Sequence, residues 1–257
     1  MTEVIQYLIP TGSMRLDEGK LLIGQLTGLV KDIVRNTNLS DSVTVLLGPN
    51  GAGKSTLMKG IIGFLRFEGH ILINGQPNAS PSSRRAIGYI PEIPSFYPNL
   101  TVSEYMEFVA RAYRMKNYSS RAEELLGRFS LTEHRKKLGS ELSKGMAQKL
   151  NICLGLFTEP SVLLLDEPFI GLDPHAIKEL KSVIEELRDK GATLLVSTHI
   201  IESVDMLWDR AIIMQNGKIR RTMTREELKD SGASLEELFF NTTEGKPAGM
   251  EEQLKKR

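Results

Sequence analysis

Val43-Thr44-Val45-Leu46-Leu47 runs directly into Gly48-Pro49-Asn50-Gly51-Ala52-Gly53-Lys54-Ser55-Thr56. The first five residues are apolar or β-branched, the composition of a strand covered on both faces of a parallel sheet. The segment from Gly48 to Ser55 satisfies G-x-x-x-x-G-K-[ST], and a helical pattern is expected from Lys54 to about Leu65. Strand, glycine-rich turn and helix in that order make a phosphate cradle. The glycines let backbone N–H groups turn inward, and the helix N-terminus adds its positive end. Lys54 is placed to reach β- and γ-phosphates, and the Ser55 hydroxyl to ligate Mg²⁺. Asn50, Gly51, Ala52, Gly53, Lys54, Ser55 and Thr56 are the expected nucleotide-binding residues.

A second apolar run, Val162-Leu163-Leu164-Leu165, ends in Asp166-Glu167. A strand of this kind delivers both carboxylates to the C-terminal edge of a parallel sheet, where such sheets bind ligands. Asp166 is expected to hold the Mg²⁺ shell. Glu167 is the expected general base or water-orienting group for attack on a γ-phosphate.

Outward from these segments the chain reads as α/β, with a P-loop core on a largely parallel sheet. Further strands are expected at Ile87–Ile90, Thr193–Ser197 and Ala211–Met214, with HILING from His70 to Gly75 as one arm of a hairpin. A helix from Pro174 to Lys190 is punctuated by Asp173 as N-cap and Gly191 past its end. Thr101 and Glu104 have capping-box spacing, and helical patterns continue through 119–130 and 145–157. This predicts a helical subdomain, about residues 93–160, inserted into a single domain spanning 1–240. Residues 1 to about 42 read as β-rich, and 241–257 as a polar tail.

Composition limits the alternatives. There are 33 Lys and Arg against 32 Asp and Glu, which argues against a generally basic nucleic-acid binder. Cys153 is the single cysteine, and its apolar neighbours suggest a reduced buried thiol. No apolar run approaches the ~18 residues of a membrane span, and the N-terminus lacks the features of a secretory signal. The expectation is a chain that is neither membrane-spanning nor exported.

These residues resemble the nucleotide-binding subunits of ATP-binding cassette (ABC) transporters, particularly those of exporters, from about residue 43 to residue 240. Beyond the two phosphate segments, Leu142-Ser143-Lys144-Gly145-Met146 is similar to the family signature LSGGQ. Gly171-Leu172-Asp173 is similar to its D-loop, and Ser197-Thr198-His199 to its switch histidine. The resemblance implies an Mg²⁺-dependent ATPase in which two cassettes, identical or related, stack head to tail. Ser143 and Gly145 would then serve the ATP of the neighbouring subunit, and Asp173 would belong to the same nucleotide site. His199 would contact the γ-phosphate. It further implies a separate integral membrane permease, export rather than import, no nucleic-acid partner, and a cytoplasmic position on the inner face of the membrane.

Three departures accompany it. Lys144 and Met146 replace Gly and Gln of the signature, and Glu92 stands where the family usually has a glutamine, giving it an expected catalytic and Mg²⁺-binding role. Residues 21–35 contain no aromatic to stack on adenine, and Tyr7 is the only aromatic upstream of the cradle. Two other readings stand beside this one. A soluble ABC-type ATPase acting on a protein or nucleic-acid machine draws on the ten Lys/Arg against four Asp/Glu in residues 111–149. A cassette that binds ATP for assembly but hydrolyses it slowly draws on the three departures.

Overall fold

The computed structural model describes residues 42–67, 69–204 and 207–243. The expected β-rich segment at 1–42, with Tyr7 and the aromatic-free stretch at 21–35, therefore lies almost wholly outside the described residues.

A six-stranded sheet organises the molecule. Its strands are β1 (Val43–Leu47), β4 (Ile87–Ile90), β5 (Val162–Asp166), β6 (Thr193–Thr198), β7 (Arg210–Gln215) and β8 (Lys218–Thr224), in the order β4-β5-β6-β1-β7-β8. Every neighbouring pair is parallel except β7 and β8, which form an antiparallel hairpin. The short strands β2 (Leu72–Ile73) and β3 (Gln76–Pro77) make a separate hairpin turning at Asn74 and Gly75.

Alternation along the central strands builds two cores, because successive side chains leave opposite faces. Val43, Val45 and Leu47 join Leu163, Leu165, Leu194 and Val196 on one face. Leu46, Leu164, Leu195 and Ile212 meet Leu57 and Met58 on the other. Each side chain withdrawn completely from water contributes roughly 1.5–3 kcal/mol, so this double burial holds β1, β5 and β6 at the centre.

Leu57 and Met58 come from α1 (Lys54–Ile61), which is shorter than expected because Gly63 takes a positive φ of 81° and ends the helical path. Helix α2 (Pro81–Ala86) was not anticipated; Ser80 caps it, accepting from the Ser83 amide. Between β4 and β5 lie α3 (Val102–Ala112), α4 (Ser119–Arg128) and α5 (Lys144–Phe157), with no named strand among them. Thr101 and Glu104 close a capping box at the start of α3. Cys153 of α5 is fully buried, and desolvation pushes its thiol pKa well up.

Helix α6 (Pro174–Asp189) begins where expected, with the Asp173 carboxylate accepting from the Ala176 amide at 2.9 Å, and stops one residue early. Arg128 at the end of α4 makes paired bonds of 2.8 and 2.7 Å to Glu186 of α6 and one of 3.1 Å to Glu179. The chain closes with α7 (Arg225–Ser231) and α8 (Leu235–Thr243). Helix α8 runs three residues into the expected polar tail, whose remainder is outside the described residues.

Candidate active site

Because β1, β4, β5 and β6 are parallel, their C-terminal ends share one edge. Register aligns them: Leu47 with Thr198, Asp166 with Ser197, and Ile90 with Leu165. The residues that follow are Gly48, Glu167, His199 and Pro91-Glu92, so segments far apart in sequence become neighbours.

The turn after β1 needs glycine for two different reasons. A Cβ on Gly48 would lie 2.6 Å from the Met214 carbonyl oxygen and 2.9 Å from the Ala52 Cβ, so no larger residue fits. Gly53 has φ 102°, a left-handed conformation that side chains resist. The Gly217 amide donates to the Ala52 carbonyl at 3.0 Å, so the β7–β8 turn supports the loop from behind. Helix α1 starts on Gly53 with no side chain capping it, which leaves its first amides facing the loop as an anion-binding end.

Lys54 is buried. Its Nζ donates to the Gly48 carbonyl at 2.7 Å and lies 3.4 Å from Glu167 Oε1. Glu167 has φ 48°, unusual for a non-glycine residue and costing on the order of 1–3 kcal/mol. Two bonds hold that conformation: the Glu167 amide donates to the Ser197 carbonyl at 3.1 Å and to its Oγ at 3.3 Å. The side chain is thereby aimed at His199, whose Nδ1 is 2.9 Å from Oε1 and whose backbone N–H donates to Oε2 at 3.3 Å. A carboxylate facing Nδ1 assigns the ring proton to that nitrogen. Lys54, Glu167 and His199 thus form one connected group.

Asp166 is buried beside it and accepts a hydrogen bond from the Ser197 hydroxyl. Tyr89 of β4, in register with Leu164, lies on the same face of the sheet as Asp166. Its phenol pKa is raised by burial first, then by the nearby charge of Asp166, and least by that of Glu92. Sequence reading gave Ser197 no role of its own, although the register sets it directly opposite Asp166. Glu92 itself is exposed, in the loop after β4, and outside the Lys54–Glu167–His199 group. That loop is fixed by Asn151 of α5, which donates to the Pro91 carbonyl at 2.8 Å.

Ser55 and Asp166 offer a hydroxyl and a carboxylate, hard oxygen donors of the kind Mg²⁺ takes. Among the described residues no group of three His, Cys, Asp or Glu side chains is assembled for a metal. Few protein ligands and no cage suits Mg²⁺ completed by phosphate oxygens and water.

Ser143 caps α5, its hydroxyl accepting from the Met146 amide at 3.3 Å. Ser143 is exposed and Gly145 partly so, and the bonds joining Lys54, Glu167 and His199 include neither. Helix α5 is instead bolted to the segment following Glu167. Gln148 donates to the Pro168 carbonyl at 3.4 Å, and Lys149 pairs with Asp173 at 2.6 Å. Lys149 is the main reason that the Asp173 carboxyl is held below its usual range. The other histidines, His70, His134 and His175, belong to other parts of the surface.

The sequence profile described as ABC transporter matches residues 34–170. The ABC-type transporter ATP-binding protein EcsA of Bacillus subtilis (strain 168) is 36% identical over 212 residues, covering 79% of this chain and 86% of that protein. The lantibiotic transport ATP-binding protein SrtF of Streptococcus pyogenes is 36% identical over 215 residues, covering 82% and 91%. The lipopolysaccharide export system ATP-binding protein LptB of Haemophilus influenzae is 34% identical over 208 residues, covering 78% and 86%. A solved ATP-binding subunit of an ABC transporter superposes with TM-score 0.75 at 37% identity, over 79% of this chain and 88% of that one. No helix among the described residues is long and apolar enough to cross a membrane. A phosphate cradle propped on a parallel sheet, opposite a paired glutamate and histidine, is thus matched by these ATP-binding proteins, and the chain belongs to the ABC transporter family as an ATP-binding subunit.

Proposed function

We propose that this chain is an Mg²⁺-dependent ATPase that pairs with a second cassette on ATP and powers a separate membrane permease in the direction of export. The observation that carries the reading is the shared carboxylate of Glu167, 3.4 Å from Lys54 and 2.9 Å from His199 at the mouth of the cradle. Lys54 and Glu167 compensate each other's charge. A triphosphate entering the loop competes for Lys54, and that exchange leaves Glu167 Oε1 available to a water molecule. Glu167 takes the proton as the water oxygen bonds to the γ-phosphorus and the bridging bond to the β-phosphate oxygen breaks, releasing ADP and phosphate. His199, oriented through Nδ1, contacts the γ-phosphate. Asn50 to Thr56 hold the phosphates by backbone amides, and Ser55 and Asp166, joined by Glu92, would hold Mg²⁺, which would neutralise the developing charge.

The exposure of Ser143 and Gly145, away from the chain's own Lys54, supports their use on the ATP of a neighbouring cassette. Asp173 sits at the same surface. The helices between β4 and β5, about residues 93–160, are the part that grips the permease, and through it the chain sits on the inner face of the membrane. One functional unit spans 1–240, followed by the tail. The name of LptB, a lipopolysaccharide export system ATP-binding protein, supports export.

The test is Glu167→Gln. It is expected to lower ATP turnover by roughly 10²- to 10⁴-fold and to trap a dimer on ATP, seen by size exclusion. Wild-type turnover in the variant, with no ATP-dependent dimer and no copurifying polytopic membrane protein, overturns the proposal.

A further inference from the structure

Helix α5 carries two buried amide side chains less than one turn apart, Gln148 and Asn151. Residues three or four apart share a helix face, and the next on this stripe, Gly155, lies against the sheet. A Cβ on Gly88 of β4 would stand 2.7 Å from the Gly155 carbonyl oxygen, so helix and strand meet backbone to backbone. The face that packs on β4 is thus the one that carries both amides toward the strand ends.

Each amide donates to the carbonyl of a proline, and each proline adjoins a carboxylate. Asn151 Nδ2 reaches the Pro91 oxygen at 2.8 Å, and Pro91 precedes Glu92. Gln148 Nε2 reaches the Pro168 oxygen at 3.4 Å, and Pro168 follows Glu167. Proline has no N–H, so its carbonyl is the one backbone group by which either position can be held through hydrogen bonding. Packing alone does not call for the amides. Methionine would fill the place of Gln148, whereas Gln148 leaves its own Oε1 without a hydrogen-bond partner among the described residues. An orphaned buried oxygen is costly, and what the amide supplies in return is the donor to Pro168.

We propose that Gln148 and Asn151 are positioning residues: from one helix they set the two loops in which Glu167 and Glu92 stand, so that both carboxylates keep a fixed place relative to the start of α5 at Ser143. This rests on the catalytic assignments of Glu167 and Glu92 made above. Neither amide touches substrate. Two further contacts join the same end of the helix to the chain beyond Pro168: Lys149 pairs with Asp173 at 2.6 Å, and a Cβ on Gly145 would lie 3.1 Å from the Gly171 carbonyl oxygen. A displacement at the start of α5 therefore reaches both carboxylates together.

The experiment follows single-turnover hydrolysis of radiolabelled ATP by the full chain. Gln148→Leu and Asn151→Leu are each expected to slow hydrolysis on the order of ten-fold, with fluorescent-nucleotide affinity within about two-fold of wild type because the cradle is untouched. The background then separates positioning from general support. In Glu167→Gln, Gln148→Leu should slow the residual hydrolysis no further while Asn151→Leu keeps its effect, and in Glu92→Gln the reverse should hold. Slowing of equal size in every background overturns the proposal by showing a general disturbance of the fold, and so does wild-type hydrolysis in both leucine variants. Should a leucine variant lose the wild-type circular dichroism, Gln148→Met and Asn151→Ala take the same test with the same expected outcomes. Wild-type turnover in Glu167→Gln or Glu92→Gln overturns the catalytic assignment of that carboxylate, and with it the positioning role at that residue.

Discussion

Nζ of Lys54 lies 3.4 Å from Oε1 of Glu167, and both side chains are almost entirely removed from solvent. A cation and an anion buried together are each other's compensation, and removing one leaves the other exposed to the full cost of desolvation. Lys54→Met is therefore expected to do two things. Nucleotide affinity should fall by roughly ten- to a hundred-fold through loss of a charged hydrogen bond, and stability by about 1–3 kcal/mol, limited by the remaining His199 contact. Urea unfolding and fluorescent-nucleotide titration measure the two. Adding Glu167→Gln to that variant should restore most of the stability and none of the binding.

Gly48→Ala places a methyl group 2.6 Å from the Met214 carbonyl oxygen. Backbone must move to admit it, so the expected loss is about 1–3 kcal/mol, with nucleotide binding reduced more than melting temperature. Calorimetry and titration on one preparation separate the effects. Stability and affinity both equal to wild type would show that the loop is softer than its contacts imply.

Lys149 and Asp173 join α5 to the start of α6 at 2.6 Å. The Asp173 carboxyl is held below its usual range, so the pair stabilises the fold above the unfolded value of ~3.9 and loses that contribution as pH falls through the lower folded value. Asp173 is well exposed, which keeps the effect within about 1 kcal/mol. Thermal melts of wild type and Lys149→Met should differ at neutral pH and converge as pH drops below about 4.

Arg128 ties α4 to α6 through Glu186 and Glu179. The fork is partly exposed, so Arg128→Ala should cost about 1 kcal/mol at low salt and less at high salt. Urea midpoints at two ionic strengths test this. A loss independent of salt would assign the contribution to the packing of the arginine stem.

The parallel core was legible because β1, β5 and β6 are predominantly apolar, a composition that follows from being covered on both faces. Lys54, Asp166 and Glu167 were legible because each ends or follows such a strand. Ser197 was not, since a hydroxyl in a buried strand gains its meaning only from the register with a neighbour. Helix α2 and strand β8 escaped for a different reason: α2 is short, and β8 carries Lys218, Arg220 and Arg221 on a largely exposed edge, without the apolar run that marks the centre. Lys149, Gln148 and Asn151 were legible as positions on a helix, while their carbonyl and carboxylate partners lie in loops that sequence periodicity does not place.

The support that Met214 and Gly217 give to the phosphate loop sets an order of events during synthesis. A ribosome displays the loop early, yet the hairpin behind it emerges more than a hundred and fifty residues later. Until then the growing chain has the glycines without the wall they lean on. A nucleotide that needs the propped loop would accordingly bind, and so stabilise, the finished sheet over a partial one.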